Sequence, residues 1–289
     1  MKKFLLFTSI PLIALFMMVD FGSFKHEQWL TRSNQEGQSE KDSWTLMDSS
    51  KVSPEICIRD PKVRFFMYHY IRGDDTHDTR GTHELSIPPN VFEEQMQVIH
   101  RLETTGFITL MRGQDFLTAE KSRCYPGKNI WIFTDDDGWV DSYNSLYPIA
   151  KKYQIPFFFW IIGNRLDMSG FVSKLQLQEI AKDPLFTISS HSLTHSDESH
   201  MGTTIEEHEM CESKKILETT IGKRIDTYIY PSGKIGTGSV ENLKKCGYLL
   251  GWSTQFGTDF NSTWANTGKI NRIRIGRETN PEYFIKLLN

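Results

Sequence analysis

The chain has no surplus of positive charge. Lys and Arg number 33 against 36 Asp and Glu, a formal net charge of −3 over 289 residues. Nucleic-acid binders usually carry a basic excess or stripe, so no nucleic-acid partner is expected. Cysteine is scarce. The four, Cys57, Cys124, Cys211 and Cys246, show no C-x-x-C spacing, which argues against a cysteine-based zinc site. Three disulfide pairings, or buried free thiols, stay open for them. Histidine stops early, with none after Gly251. Residues 60–289 contain no internal repeat and no low-complexity tract. What is present, 38% hydrophobic and 24% charged residues, is ordinary globular composition. It suffices for one sizeable α/β domain with a core of its own.

The N-terminus reads as a targeting segment. Lys2 and Lys3 precede an uncharged run from Phe4 to Val19, which favours a cytoplasmic N-terminus and export of the remainder. No small-x-small cleavage pattern follows, and the run is slightly short for a spanning helix. Residues 1–24 are therefore expected to be a signal peptide or a membrane anchor. The expected location is extracellular, at the cell surface or membrane-anchored. Residues 25–59 are polar and lack apolar periodicity, the pattern of a linker, and residues 60–289 form the expected catalytic domain.

In that domain short apolar runs alternate with helical patterns, which points to parallel α/β architecture. Strands are predicted over 64–69, 107–110, 129–134, 157–162, 186–189, 227–230 and 248–253. Helices are predicted over 91–104, 142–153, 174–182, 204–221 and 238–246. Asn90 is the expected cap of the first helix. Asn280, followed by Pro281, caps a last one. In a barrel of such units, functional groups collect where strands end.

Three separated segments carry chemistry. Asp135-Asp136-Asp137-Gly138-Trp139 follows the apolar run 130–133, His191 and His195 lie four residues apart, and residues 228–233 read YIYPSG. One carboxylate and two imidazoles can hold a divalent ion and leave positions open for water and substrate. A spare neighbouring carboxylate can serve as base. A calcium loop would need further acidic residues after Asp137, and Trp139-Val140 does not supply them.

The order and wording of these segments resemble the polysaccharide deacetylase superfamily (NodB homology, carbohydrate esterase family 4). Its first motif, Thr-Phe-Asp-Asp-Gly-aromatic, is matched by Thr134, Asp136, Asp137, Gly138 and Trp139, with Asp135 in place of the Phe. Its second motif is matched by His191, Ser192 and His195. Residues 63–71, VRFFMYHYI, resemble the opening of the subgroup acting on poly-β-1,6-N-acetylglucosamine, and residues 271–275, NRIRI, its late Arg-x-Arg strand.

The resemblance implies a distorted (β/α) barrel, circularly permuted in that subgroup. It implies Asp137, His191 and His195 as metal ligands, with zinc first and cobalt, nickel, manganese or iron as alternatives. Asp136 is the implied base and His69 the implied acid, because no later histidine exists to fill that place. The backbone N–H of Ser232 is the implied oxyanion donor, which tolerates any non-proline residue. Tyr230, Trp139 and Trp252 are expected to face substrate, with Trp160 a further aromatic candidate. The family's usual arginine before the third motif is Ile229 here, so Arg272 or Arg274, Arg272 first, is expected to orient Asp136. Asp135, if the strand alternates, points away from Asp136 into a normally apolar layer. The expected activity is removal of N-acetyl groups from an acetylated amino-sugar polysaccharide, poly-β-1,6-N-acetylglucosamine first. The alternatives are a peptidoglycan or chitin-type substrate, or a degenerate member that binds glycan without turnover.

Overall fold

A computed structural model describes residues 57–74, 79–256 and 270–288, all within one compact unit spanning 48–289. The expected targeting segment and most of the expected linker lie outside the described residues.

Eight strands run in chain order: β1 (Lys62–Tyr68), β2 (Thr109–Leu110), β3 (Asn129–Asp135), β4 (Phe157–Ile161), β5 (Phe186–Ser190), β6 (Thr227–Ile229), β7 (Leu250–Phe256) and β8 (Ile270–Arg274). Every pairing between them is parallel. β1 pairs along its length with β3 and, on its other side, with β8. That closes a seven-stranded ring. The two-residue β2 lies against the start of β3, below the point where β4 joins it. The (β/α) barrel expected from the sequence is the fold observed.

Closure explains why β4, FFFWI, reads as a continuous apolar run: both of its faces are buried. Along β1, Val63 and Phe65 point into the barrel while Phe66 and Tyr68 point to the helices. The interior is filled by Phe158, Trp160, Ile229, Trp252 and Ile270, with Trp160 and Trp252 in an edge-to-face pair at 4.5 Å. The outer layer packs Phe133, Phe157, Phe159 and Phe186 under the helices.

The helices are α1 (Arg80–Leu85), α2 (Pro89–Thr104), α3 (Gly113–Ser122), α4 (Tyr147–Lys152), α5 (Lys174–Lys182), α6 (Thr203–Ile221), α7 (Ser239–Lys245) and α8 (Glu282–Lys286). On α2 the buried stripe Phe92, Met96 and Ile99 has the spacing of one helical face. The helix begins at Pro89, one residue before the predicted cap Asn90, because proline is favoured in the first turn, where its missing N–H has no partner to lose. Asn280 does cap: its Oδ1 accepts from the Tyr283 N–H at 3.1 Å, and the helical residues start at Glu282. A π-helical turn, Ser142–Leu146, opens the predicted helix 142–153. α1 and α3 were not predicted. α1 buries no residue and so has no apolar stripe. α3 enters under β4 and β5, where a Cβ on Gly113 would lie 2.6 Å from the Phe158 ring.

The cysteines pair as Cys57–Cys124 and Cys211–Cys246. The free-thiol alternative is thereby removed for Cys211 and Cys246: α6 and the end of α7 bring them together. Cys57 and Ile58, which the sequence places in the linker, are tied to the barrel by the first disulfide and by a bridge between Ile58 and Tyr125. Among the described residues no helix is long and apolar enough to cross a membrane.

Candidate active site

The C-terminal ends of β1, β3, β5, β6 and β8 converge on one set of polar groups. β3 runs to Asp135. The chain then turns sharply through Asp137 and Gly138, at φ +76° and +79°. Non-glycine residues with positive φ are uncommon and cluster at functional sites. Ser192, His195 and Ser232 share this conformation, at +62°, +64° and +54°. Three strand ends are thus bent to aim side chains or backbone N–H groups at the barrel mouth.

Asp137 Oδ1 lies 3.3 Å from His191 Nε2 and 3.4 Å from His195 Nε2. His191 is buried, and its Nδ1 sits 3.1 Å from the Ile229 carbonyl. Donation there leaves the Nε2 lone pair facing Asp137 and His195, the usual way a ligating histidine is fixed. The three donor atoms lie within 4.8 Å of one another. Bonds of about 2.0–2.1 Å from a tetrahedral ion would hold its ligand atoms about 3.3–3.4 Å apart, which the two short separations match. The donor set of two imidazoles and one carboxylate therefore fits a divalent metal. Burial alone would raise the Asp137 carboxyl, but His191, His69 and His195 together hold it below the usual range. Burial, with the neighbouring His191, lowers His195. Both ligands are thus biased toward the deprotonated state that metal binding requires.

Asp136 lies at the barrel mouth, almost fully buried. Arg272, fully buried on the inner face of β8, forks onto it: Nη1 to Oδ1 at 2.7 Å and Nη2 to Oδ2 at 2.6 Å. The guanidinium also donates to Thr134 Oγ1 at 2.8 Å and to the Ser253 carbonyl at 3.3 Å. Burial raises the Asp136 carboxyl, but Arg272, His69 and His191 outweigh it and hold the group ionised, below its ordinary value. Arg274, two residues on, is exposed, so of the two arginines Arg272 is the one that reaches Asp136. Thr134 completes this arrangement. Its position two before Asp136 in an alternating strand is the signal that could have assigned it.

His69, one residue past β1, places Nε2 3.9 Å from Asp136 Oδ2, beyond hydrogen-bond reach. Burial lowers its pKa despite the opposing pull of Asp136 and Asp137. Ser232 is exposed, and among the described residues its N–H has no backbone acceptor. It is free to meet a ligand, as an oxyanion donor must be.

Four aromatic expectations are corrected. Trp252 and Trp160 are fully buried in the barrel interior and present no face to a sugar. Tyr230 is fully buried as well. Trp139 is half-buried, stacked on Phe171 at 4.2 Å and tilted against Tyr70 at 5.1 Å. Its indole N–H donates to Asp137 Oδ2 at 3.0 Å. Trp139 therefore steadies a putting-in-place of Oδ1 toward the histidines rather than offering an open stacking face. Asp135 points away from the site, as alternation requires, and accepts a 2.5 Å hydrogen bond from Ser142 in the π turn. Burial pushes its carboxyl well above the ordinary range.

The sequence profile described as Polysaccharide deacetylase matches residues 124–251, a span holding all three motifs. Residues 124–251 thus carry a polysaccharide deacetylase domain. YxkH of Bacillus subtilis strain 168 is 25% identical over 234 residues, covering 80% of this chain and 78% of that protein. The poly-beta-1,6-N-acetyl-D-glucosamine N-deacetylase of Staphylococcus aureus strain MRSA252 is 28% identical over 184 residues, 59% of this chain and 61% of that enzyme. The fold is shared with the Streptococcus pyogenes deacetylase PplD, solved in complex with acetate: TM-score 0.71 and 23% identity, over 80% of this chain and 99% of that one. His69, just past the first strand, and Arg272, on the last, lie outside the matched span.

Proposed function

We propose that this chain is a metal-dependent N-deacetylase of an N-acetylglucosamine-containing polysaccharide, with poly-β-1,6-N-acetylglucosamine as first substrate. The observation that carries the reading is the juxtaposition of the Asp137–His191–His195 donor set with an ionised, arginine-held Asp136 and with His69. The substrate choice is supported by the likeness to the staphylococcal enzyme and by the residues around His69.

A divalent ion, zinc before cobalt, nickel, manganese or iron, supplies Lewis acidity when bound by Asp137, His191 and His195. The chain's own groups divide the remaining work. Asp136 takes the proton of the attacking water; Arg272 holds both its oxygens so that the carboxylate neither rotates nor stays protonated. The Ser232 N–H serves the oxyanion that develops on the acetyl carbonyl. His69 gives a proton to the departing amine, and acetate and a free amino sugar result. The departures from the family pattern leave this chemistry in place: Asp135 faces the helix layer, Arg272 does the work of the arginine that Ile229 replaces, and Ser232 is asked only for its backbone.

Export is proposed with it. Lys2, Lys3 and the apolar run after them support it, and two disulfides suit an oxidising compartment. The N-terminal segment would make the membrane a partner if it stays attached.

The test is acetate release from a panel of defined N-acetylglucosamine oligomers of β-1,6 and β-1,4 linkage and from peptidoglycan fragments, with each metal added to chelator-treated protein. Metal-stimulated release fastest on the β-1,6 oligomers is expected. No release from any substrate with any metal overturns the catalytic reading, and preference for another glycan overturns the substrate.

A further inference from the structure

The loop that carries His195 is secured from outside the barrel. Its carbonyls at Ser192 and Leu193 accept from the N–H groups of Gly163 and Asn164, and the His195 N–H donates to Ser192 Oγ at 2.8 Å. Thr194, whose hydroxyl also lies 2.7 Å from Ser196 Oγ, adds two donors, and both go to a single carboxylate on α6. The Thr194 N–H reaches Glu209 Oε2 at 2.8 Å and its hydroxyl reaches Oε1 at 2.9 Å. Glu209 is 6% exposed. Burying a carboxylate is costly unless it is well satisfied. Among the described residues no basic side chain pairs with it, and Thr194 supplies the hydrogen bonds it receives. An apolar residue would fill the same space on α6 without that cost.

We propose that Glu209 is a positioning residue for the metal centre. It clamps Thr194 and thereby holds His195 in the left-handed backbone conformation that turns Nε2 toward Asp137. The need for a clamp follows from the geometry. His195 is a third exposed, whereas His191 is buried and tied to the Ile229 carbonyl. His195 has φ +64°, a conformation a histidine leaves readily unless its neighbours are fixed. The inference rests on the reading of Asp137, His191 and His195 as ligands.

The experiment measures Co²⁺ dissociation constants by competition with a chromophoric chelator, on the full chain, at a temperature where circular dichroism shows each apoprotein folded. Glu209→Met keeps volume and removes both acceptors; the affinity is expected to fall about 10–100-fold, the usual scale for residues that orient metal ligands. Glu209→Gln can keep both contacts, accepting from the N–H and donating to the hydroxyl, and should lose less than about tenfold. A merely structural role would lower thermal stability and leave the constant unmoved. A folded Glu209→Met with wild-type affinity overturns the proposal, as does a Glu209→Gln as weak as Glu209→Met. Should Glu209→Met not fold, Thr194→Val takes its place, and an unchanged constant there overturns the proposal too. His195→Ala separates the two levels. If it binds Co²⁺ like the wild type, the ligand reading itself fails. If it loses the ion and Glu209→Met does not, only the positioning role fails.

Discussion

Removing Arg272 tests the electrostatic logic of the site most directly. Arg272→Met keeps an unbranched apolar stem and deletes the guanidinium. It leaves Asp136, 1% exposed, without the fork that neutralises it. Breaking a buried ion pair from one side costs about 3–5 kcal/mol, because the remaining charge is stranded. For a unit of this size each kcal/mol moves the melting temperature about 2–4 °C, so a fall of about 6–20 °C is expected. A second effect follows from the same loss. With Arg272 gone, burial acts on Asp136 without its main opponent and its pKa rises. Asp136 must be ionised to act as base, so the acid limb of the rate profile moves to higher pH. Arg272→Lys keeps charge without the planar fork and should fall between. The assays are urea unfolding and the pH dependence of kcat/KM. They close in a cycle with Asp136→Asn, where the double variant should recover about 1.5 kcal/mol or more relative to additivity. A coupling below about 0.5 kcal/mol, the scatter of independent sites, would refute the reasoning.

Further outcomes are expected elsewhere. His69→Ala should damage cleavage of an acetylated amine far more than of an activated aryl acetate, whose leaving group needs little protonation; equal losses in kcat/KM on both would remove His69 from the acid role. Trp139→Phe keeps the stack on Phe171 and loses the bond to Asp137, so zinc affinity should drop about tenfold with little change in melting temperature; an unaltered zinc constant would contradict it. Glu198 is fully buried, and burial, aided by Glu206 and Glu209 against the Tyr228 hydroxyl, pushes its carboxyl from 4.5 up to about 9. Its proton stays on in the folded chain after the unfolded chain has released it. The stability it contributes is therefore full below about pH 4.5 and is lost as pH rises to about 9, by at most about 1.4 kcal/mol per unit. Glu198→Gln should gain on the wild type steadily across that window; parallel melting curves for the two would sink the idea.

The barrel and the three motif segments were legible because each has a local signature. The strand 157–161 is a bounded apolar run, and the helix 174–182 carries a capping box, Ser173 with Gln176, that marks its start. The His191–His195 spacing and the Asp-Asp-Gly segment point, without any tertiary information, to the three groups that the fold brings within 4.8 Å of one another. Arg272 was reachable because alternation leaves only one face of β8 for Asp136. The aromatic roles were not legible. Trp139, Trp160 and Trp252 look alike in sequence, and only barrel closure decides which are swallowed. Glu209 was hidden for a related reason. An acidic residue amid the acids of α6 reads as solvated surface, and its contact with Thr194 depends on where α6 lies against β5. α1 and α3 escaped because neither carries a long apolar stripe.

The order of the strands around the ring has a consequence for the growing polypeptide. The three proposed metal donors are all synthesised by residue 195, whereas the guanidinium that holds Asp136 arrives only with β8, beside β1 where the ring closes. A chain interrupted before residue 270 can contain every metal donor and the acid, yet its base has no anchor. On the proposed roles, catalytic competence is a property of the finished ring, switched on by its last strand.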